Sequence, residues 1–363
     1  MPVKIVHAAD FHLDSAFGAL TSEQAKLRRR EGRELLERLS NYVNQQNTDI
    51  VLLAGDLFDG ETTYRETVEA LRDALASMSA RVFIAPGNHD YYSAKSLYAT
   101  LKWPGNVHIF KTREIERVEL PELSCTVYGA AFTDASQEMS MLDGFTVRDD
   151  GLTHLMVLHG DLNAVEARYC PLTKEQIAGS KLDYLALGHT HLHDGFHKFG
   201  STVCAYAGCV EGRGFDELGE KGFLSGTVDG NAVDIKFIPF AKRRYEILSV
   251  DVTDKNPADA LTAALPESTA RDLYRVIFMG ETDERGVDLK KIEERFAADF
   301  FHLELRDKTH IRQDIWARSG EDSLRGLFLR DLRRKFDAAD ESEKEKIECA
   351  VRFGLAALDG RDL

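Results

Sequence analysis

Five short apolar runs, at residues 3–6, 50–53, 82–84, 154–158 and 184–187, have the length of buried strands. Between the first three lie longer stretches, 23–45 and 65–77, whose apolar residues recur at helical spacing. Strand-like sequence returns past Val107, so the pattern predicts an α/β (α+β) fold, a two-sheet sandwich flanked by helices. Residues 222–228 and 232–238 around Asp229-Gly230-Asn231 read as a late hairpin with Asp-Gly turn chemistry. From Tyr245 the pattern restarts as strand 247–252, helix 257–265, strand 273–279, helix 288–298 and strand 301–305, a small βαβαβ unit. Two amphipathic helices follow, with Leu324, Leu327, Phe328, Leu332 and Phe336 on one face and Ile347, Ala350, Val351, Gly354 and Leu358 on the next. Ser342 and Glu345 have capping-box spacing between them. The expected domains are 1–242, 243–308 and 309–363.

Each of the five runs ends in a polar cluster: Asp10-Phe11-His12, Gly55-Asp56-Leu57-Phe58-Asp59, Gly87-Asn88-His89-Asp90, His159-Gly160-Asp161 and Gly188-His189-Thr190-His191. In helix-flanked sheets, loops from the C-terminal strand ends converge on one rim, so residues far apart in sequence can meet in one pocket. Carboxylate, imidazole and amide oxygen form a borderline-hard donor set suited to Mn²⁺, Fe²⁺ or Zn²⁺. A carboxylate such as Asp56 can bridge two cations, and two cations about 3.5–4 Å apart can activate a water and clamp both nonbridging phosphate oxygens. Any one motif alone is common, but burying so many ionisable groups without metal would be very costly. The order therefore reads as a two-metal, phosphoester-hydrolysing centre.

The opening His7-Ala8-Ala9-Asp10-Phe11-His12-Leu13-Asp14, with Gly55-Asp56-Leu57-Phe58-Asp59 and Gly87-Asn88-His89-Asp90, resembles the calcineurin-like metallophosphoesterases, within them the SbcD and YhaO type of DNA repair exonuclease. Protein phosphatases of that superfamily usually carry Arg directly after the second Asp, where this chain has Gly60. The resemblance implies that Asp10, His12, Asp56 and His191 hold one divalent metal and Asp56, Asn88, His159 and His189 the other, with Asp56 as the bridge. Mn²⁺ is the first expectation, with Fe²⁺, Zn²⁺ and Mg²⁺ as alternatives. His89 is left free to stabilise the transition state and protonate the leaving oxygen. Asp59 stands where related phosphatases pair a carboxylate with that histidine; some nuclease relatives carry histidine there. The resemblance further implies that residues 243–308 cap the metal site and help select DNA, and that the terminal helices dock an SbcC- or YhaN-type SMC-like ATPase. Homodimerisation is left open.

Composition modifies this picture at two points. With 363 residues, 43% of them hydrophobic, the chain can bury a substantial core in two or three units. No stretch approaches the ~20 apolar residues of a membrane span, and Lys4 interrupts the only early apolar run, so neither membrane insertion nor a signal sequence is expected. Five scattered cysteines without a Cys-x-x-Cys pair suit a reducing cytoplasm; packing is preferred to a redox pair for Cys204 and Cys209. Gly212 to Gly219 lacks the strand-loop-helix setting of a phosphate cradle and reads as a structural turn; no Walker A sequence occurs, so no ATP hydrolysis is expected. The net charge of −15 argues against unaided binding of long duplex DNA, and a DNA-binding partner would resolve that difficulty. A DNA exonuclease or endonuclease subunit in repair is the leading expectation. The alternatives are a small-molecule or nucleotide phosphodiesterase with the same metals, and a non-catalytic scaffold.

Overall fold

The computed structural model describes residues 2–60, 63–162, 168–283, 286–311 and 313–358. Period-two alternation in the central strands feeds two different cores. In β1 (Val3–Ala8), β2 (Ile50–Leu53) and β3 (Arg81–Ile84), the residues Ile5, Ile50, Leu52 and Phe83 point one way and Val6, Val51, Leu53, Val82 and Ile84 the other. The second set packs on Leu35, Leu36 and Leu39 of helix α1 (Ser22–Gln45) and on Val68, Leu71 and Leu75 of α2 (Arg65–Ser77). The chain then passes through the short α3 (Leu97–Thr100), β4 (Val107–Ile109), β5 (Glu116–Leu120) and β6 (Cys125–Gly129). It continues through β7 (Thr153–His159), α4 (Lys174–Ser180), β8 (Tyr184–Gly188), β9 (His197–Phe199) and β10 (Thr202–Tyr206), and ends this region in the hairpin β11 (Gly222–Asp229) and β12 (Ala232–Pro239).

These strands form two six-stranded sheets, ordered β12-β11-β1-β2-β3-β4 and β5-β6-β7-β8-β10-β9. Leu155 and Val157 of β7 and Tyr184 and Ala186 of β8 meet Ile5, Ile50 and Leu52 in the core between the sheets. Their alternate neighbours Met156, Leu158, Leu185 and Leu187 pack outward with Ile177 of α4. The result is the expected sandwich with helices on its outer faces. Strands β1 to β4 run parallel, as do β6, β7, β8 and β10, so the loops after β1, β2, β3, β7 and β8 leave from C-terminal strand ends. The hairpin pairs Asp229 with Ala232, leaving Gly230 and Asn231 as its loop. Only Gly230 of the two has positive φ, the pattern of a II′ turn led by glycine rather than an Asp-Gly I′ turn.

By contacts the chain divides into residues 1–245 and 246–363. The second unit has a three-stranded sheet of β13 (Tyr245–Asp251), β14 (Leu273–Met279) and β16 (His302–Asp307), with β14 and β16 parallel. Helices α5 (Pro257–Ala264) and α6 (Leu289–Phe296) supply Leu261, Ile292 and Phe296 to its core. A two-stranded ribbon joins β15 (Glu281–Thr282) to β17 (His310–Ile311). The terminal helices α7 (Leu324–Ala338) and α8 (Glu341–Leu358) differ from expectation in which faces pack. Leu329, Val351 and Leu355 are buried with Trp316, and Phe328, Leu332 and Phe336 lie against them, but Leu324 and Leu327 are 71% and 57% exposed. At about 100° per residue those two leucines fall on the far side of the helix from Leu329. Ala350 and Leu358 are likewise exposed, and the Ser342 and Glu345 side chains lie outside the described residues. The basic residues of α7 are largely engaged: Arg333 pairs with Asp337, and Arg334 and Lys335 with Asp331.

One buried charge network ties α1 to the segment after β10. Arg28 donates to Glu31 at 3.1 Å, to Glu211 at 2.7 Å and to the Gly212 carbonyl at 2.8 Å, while Arg243 reaches Glu31 at 2.8 Å. The Arg28 side chain has no exposed surface. Removing it takes the guanidinium from Glu211 and leaves Glu31 to Arg243, so Arg28→Ala should cost about 3–5 kcal/mol. Urea unfolding checks this; a loss below about 1 kcal/mol would mean that Arg243 and Lys242 suffice to neutralise the acids.

Candidate metal centre

The loops leaving the C-terminal strand ends bring the five motifs onto one rim. Asp10 and His12 follow β1, Asp56 follows β2, Asn88 and His89 follow β3, His159 ends β7, and His189 and His191 follow β8. Several take backbone conformations that side-chain-bearing residues rarely adopt: φ is +52° at Asp10, +41° at His12, +51° at Asp56 and +109° at His189. Cross-loop hydrogen bonds enforce them, with the amides of Asp10, His12 and Leu13 donating to the carbonyls of Gly55, Asp56 and Leu57. Strain held in this way belongs to sites whose geometry is over-determined. Gly87 shows how close the packing is, because a Cβ there would collide with the Asp56 carboxylate and its amide nitrogen.

Three groups of side chains have donor atoms close enough to share a cation: Asp10, His12 and His191; His12, Asp56 and His89; and Asp10, Asp56 and His159. Proton bookkeeping separates donors from acceptors. His159 Nδ1 lies 2.9 Å from the Ala54 carbonyl, which can only accept, so Nδ1 carries the proton. Burial pulls the His159 pKa down to about 4, so the ring is neutral and its Nε2 bears a lone pair. That lone pair faces Asn88 Oδ1 at 2.9 Å. His12 repeats the arrangement: its Nδ1 donates to Asp59 at 3.1 Å, burial holds its pKa at about 4, and its Nε2 faces His191 Nε2 at 3.2 Å. His191 in turn directs Nδ1 at Glu217, 2.7 Å away. Metal-binding imidazoles are held in this way, one nitrogen donating to a carbonyl or carboxylate and the other free for the metal.

Asp56 lies between these two pairs. Its Oδ1 accepts the His89 amide at 2.9 Å, while its Oδ2 is 3.7 Å from His12 Nε2 and 3.5 Å from His159 Nε2. Burial, then the charge of Asp90, raises its pKa to about 7. Burial and the neighbouring Asp56 push Asp10 well above the usual carboxylate range, against the His189 amide, which donates to both its oxygens at 3.1 Å. Asp90 is differently supplied: it accepts from the amides of Asp56, Leu57, Phe58 and Gly87 and from the Tyr98 hydroxyl. It ties two loops together and has few acceptor positions left. Facing lone pairs beside under-supplied buried carboxylates are what divalent cations would relieve, so the donor set fits metal.

Two residues stand differently from expectation. Asp59 is 3.7 Å from His89, beyond hydrogen-bonding reach, and is engaged instead by His12 and, at 3.0 Å, by the Ser15 hydroxyl. His189 reaches the cluster through its amide and packs its ring edge-on to His159, centroids 5.2 Å apart, without joining the three donor groups. The turn from Gly212 to Gly219, read from sequence as structural only, sends two side chains into the site. Arg213 donates to Glu217 at 2.7 Å and lies 3.6 Å from Asp59. Burial raises the Glu217 pKa, but the His191 and Arg213 contacts outweigh it and hold Glu217 well below the usual range. Spacing from a strand end could not have found them.

The model for calcineurin-like phosphoesterases matches residues 3–193, more than half of the chain and all five motifs. The chain belongs to this family. It is similar to the uncharacterized metallophosphoesterase YhaO of Bacillus subtilis (strain 168), 27% identical over 271 residues, which cover 70% of this chain and 65% of YhaO. It is also similar to the SbcD subunit of the SbcCD nuclease of Staphylococcus epidermidis, 22% identical over 290 residues covering 69% of this chain and 74% of that protein. The sandwich is thus a metallophosphoesterase sandwich, and phosphoester hydrolysis is the family's chemistry. Among the described residues, no helix is long and apolar enough to cross a membrane, and the five cysteines are all free.

The raised Asp56 pKa fixes the sign of a pH effect. The unfolded chain releases this proton near the ordinary value of 3.8, the metal-free fold only at about 7, so stability from this group is present at low pH and lost as pH rises through about 7. A cation reverses that loss, while His12 and His159 stay neutral above about pH 5 and do not compete for protons. Mn²⁺ should therefore raise the melting temperature strongly at about pH 8 and weakly at about pH 5.5. Equal gains at both would count against Asp56 as a ligand.

Proposed function

We propose that this chain is a two-metal phosphodiesterase whose substrate is DNA, working with an SMC-like ATPase. The observation that carries the reading is the facing pairs of lone-pair donors, His12 with His191 and His159 with Asn88, on either side of Asp56 Oδ2. In this assignment Asp10, His12, Asp56 and His191 hold one cation and Asp56, Asn88, His159 and His189 the other. Two divalent ions, Mn²⁺ before Fe²⁺, Zn²⁺ or Mg²⁺, would supply a nucleophilic water at neutral pH and neutralise the nonbridging phosphate oxygens.

The side chains around them have separate tasks. His89, with 47% of its side chain exposed at the edge of the cluster, is the proton donor to the leaving oxygen. Asp59 fixes His12 by accepting its Nδ1 proton, and Glu217, 2.7 Å from His191 Nδ1, holds that ring together with Arg213, 3.0 Å from the same nitrogen. Arg213 offsets the charge of both carboxylates. His12 and His89 pack edge to face with centroids 4.8 Å apart, so the donor is placed by the same ring that faces the metal.

DNA as substrate draws support from the name of the staphylococcal relative, part of a nuclease, at low identity. The charge of −15 favours a second reading, a small-molecule or nucleotide phosphodiesterase, because phosphate backbones call for cationic surface. A partner reconciles DNA with that charge. We assign residues 1–242 to catalysis, 243–308 to a cap that selects DNA, and 309–363 to docking the ATPase. Exposed Leu324, Leu327 and Phe353 on the terminal helices support the last assignment. Cleavage of labelled single- and double-stranded DNA with Mn²⁺, beside bis-p-nitrophenyl phosphate, decides between the readings. Hydrolysis of the small diester with intact DNA, even with the ATPase present, would favour the second.

His89→Ala should keep both cations by elemental analysis and lose roughly 10²- to 10⁴-fold in rate, less on a nitrophenyl ester whose leaving group needs no proton. Because His89 also falls within one donor group, loss of a metal in this variant would reassign it as a ligand. Asp56→Asn should lose both metals together. Leu324→Glu combined with Leu327→Glu should abolish co-purification with the ATPase at unchanged thermal stability, since neither side chain is buried; retained binding would move the partner site elsewhere.

A further inference from the structure

Beside His89 the first unit contains a cavity of about 190 Å³. Phe58 and Leu97 are among its walls, with Tyr91, Ser93 and Lys95 also lining it and His89 shared with the metal centre. We propose that this cavity seats the base of the nucleoside attached to the leaving oxygen, so that the base lies in it while His89 protonates that oxygen. The inference rests on the phosphodiesterase reading above and adds to it a place for one specific half of the substrate.

Three observations carry it. The first is continuity: a donor delivers its proton across one hydrogen bond, so the leaving oxygen must lie against His89, and whatever that oxygen carries must occupy the space His89 borders. The second is size. A cavity of roughly 150 Å³ holds a benzene ring, whereas sites for drug-sized ligands start at about 300 Å³, so this one takes a single ring system and excludes a dinucleotide. The third is chemistry. Half-buried Tyr91 offers aromatic surface for a base, which stacks with little regard to sequence, buried Phe58 closes the floor, and the Ser93 hydroxyl offers a polar contact. Lys95 is exposed and makes no ion pair among the described residues. In a chain of net charge −15, a free ammonium at this cavity is suited to the next phosphate of a nucleotide.

Ser93→Trp tests the proposal by filling the cavity from a half-buried position, and Lys95→Ala tests it without added bulk. Binding is read on metal-free full-length protein by saturation-transfer NMR with dAMP and with deoxyadenosine, since the acidic centre without metal does not attract phosphate. Wild type should saturate the base protons of both; Ser93→Trp should lose both, and Lys95→Ala should weaken dAMP at least fivefold with deoxyadenosine little changed. Activity is read with Mn²⁺ as the ratio of kcat/KM for the dinucleotide d(ApA) to that for the methyl ester of dAMP, two diesters with comparably poor leaving groups. The ratio should fall at least tenfold in Ser93→Trp. Binding and ratio both unaffected by either variant, with both diesters still cleaved, overturn the subsite and leave the phosphodiesterase standing. If wild type cleaves neither diester while the variants still abolish dAMP binding, the leaving-group assignment is overturned together with the phosphodiesterase reading.

Discussion

Three buried carboxylates share one rim, and how each is supplied with hydrogen bonds decides the rest of the centre. Asp90 accepts four amides and a tyrosine hydroxyl, which makes it a cross-link between loops. Asp56 has one oxygen held by an amide and the other turned toward two imidazoles that have already spent their protons. A buried negative charge short of donors is unstable unless a cation shares the space. The difference between the two aspartates therefore locates where metal charge is needed, within a few ångströms of Asp56 Oδ2.

The scaffold that holds this imbalance is rigid for a simple reason. Residues of β1, β2, β3, β7 and β8 are buried on both faces, so their C-terminal ends cannot shift without opening one of two cores. Loops leaving such fixed points can be forced into positive φ at Asp10, His12 and Asp56, because hydrogen bonds between neighbouring loops offset the strain. Packing at Gly87 leaves no room for a side chain against Asp56. Rigidity of this kind keeps the carboxyl groups together in the absence of cations and spares the site reorganisation when they bind.

A second chain of contacts runs from α1 into the centre. Arg28 of α1 holds Glu211 and the Gly212 carbonyl, and the next residue, Arg213, reaches Glu217 and Asp59, which fix His191 and His12. A buried arginine on the outer helix is thereby linked through one turn to the orientation of two imidazoles. Its fork geometry suits the task, since one guanidinium satisfies two carboxylates and a carbonyl at once.

What the sequence determined by itself was local. Short apolar runs specified the strands, and a polar cluster after each run placed Asp10, Asp56, Asn88, His159 and His191 at strand ends, because a strand's length and exit direction follow from a handful of neighbouring residues. The same local rule explains the helices 23–45 and 65–77, which form within a residue of their predicted bounds. Pairings between distant segments were decided only by the tertiary structure. The family resemblance pairs Asp59 with His89, yet Asp59 bonds to His12, because the β1 and β2 loops are cross-linked to each other. Arg213 and Glu217 lie in a turn with no periodic pattern, and packing on Trp316, Val351 and Leu355 keeps Phe328, Leu332 and Phe336 of the α7 stripe but adds Leu329 and leaves Leu324 and Leu327 outside. Periodicity states which residues avoid water, whereas which buried group meets which is fixed by the docking of whole layers.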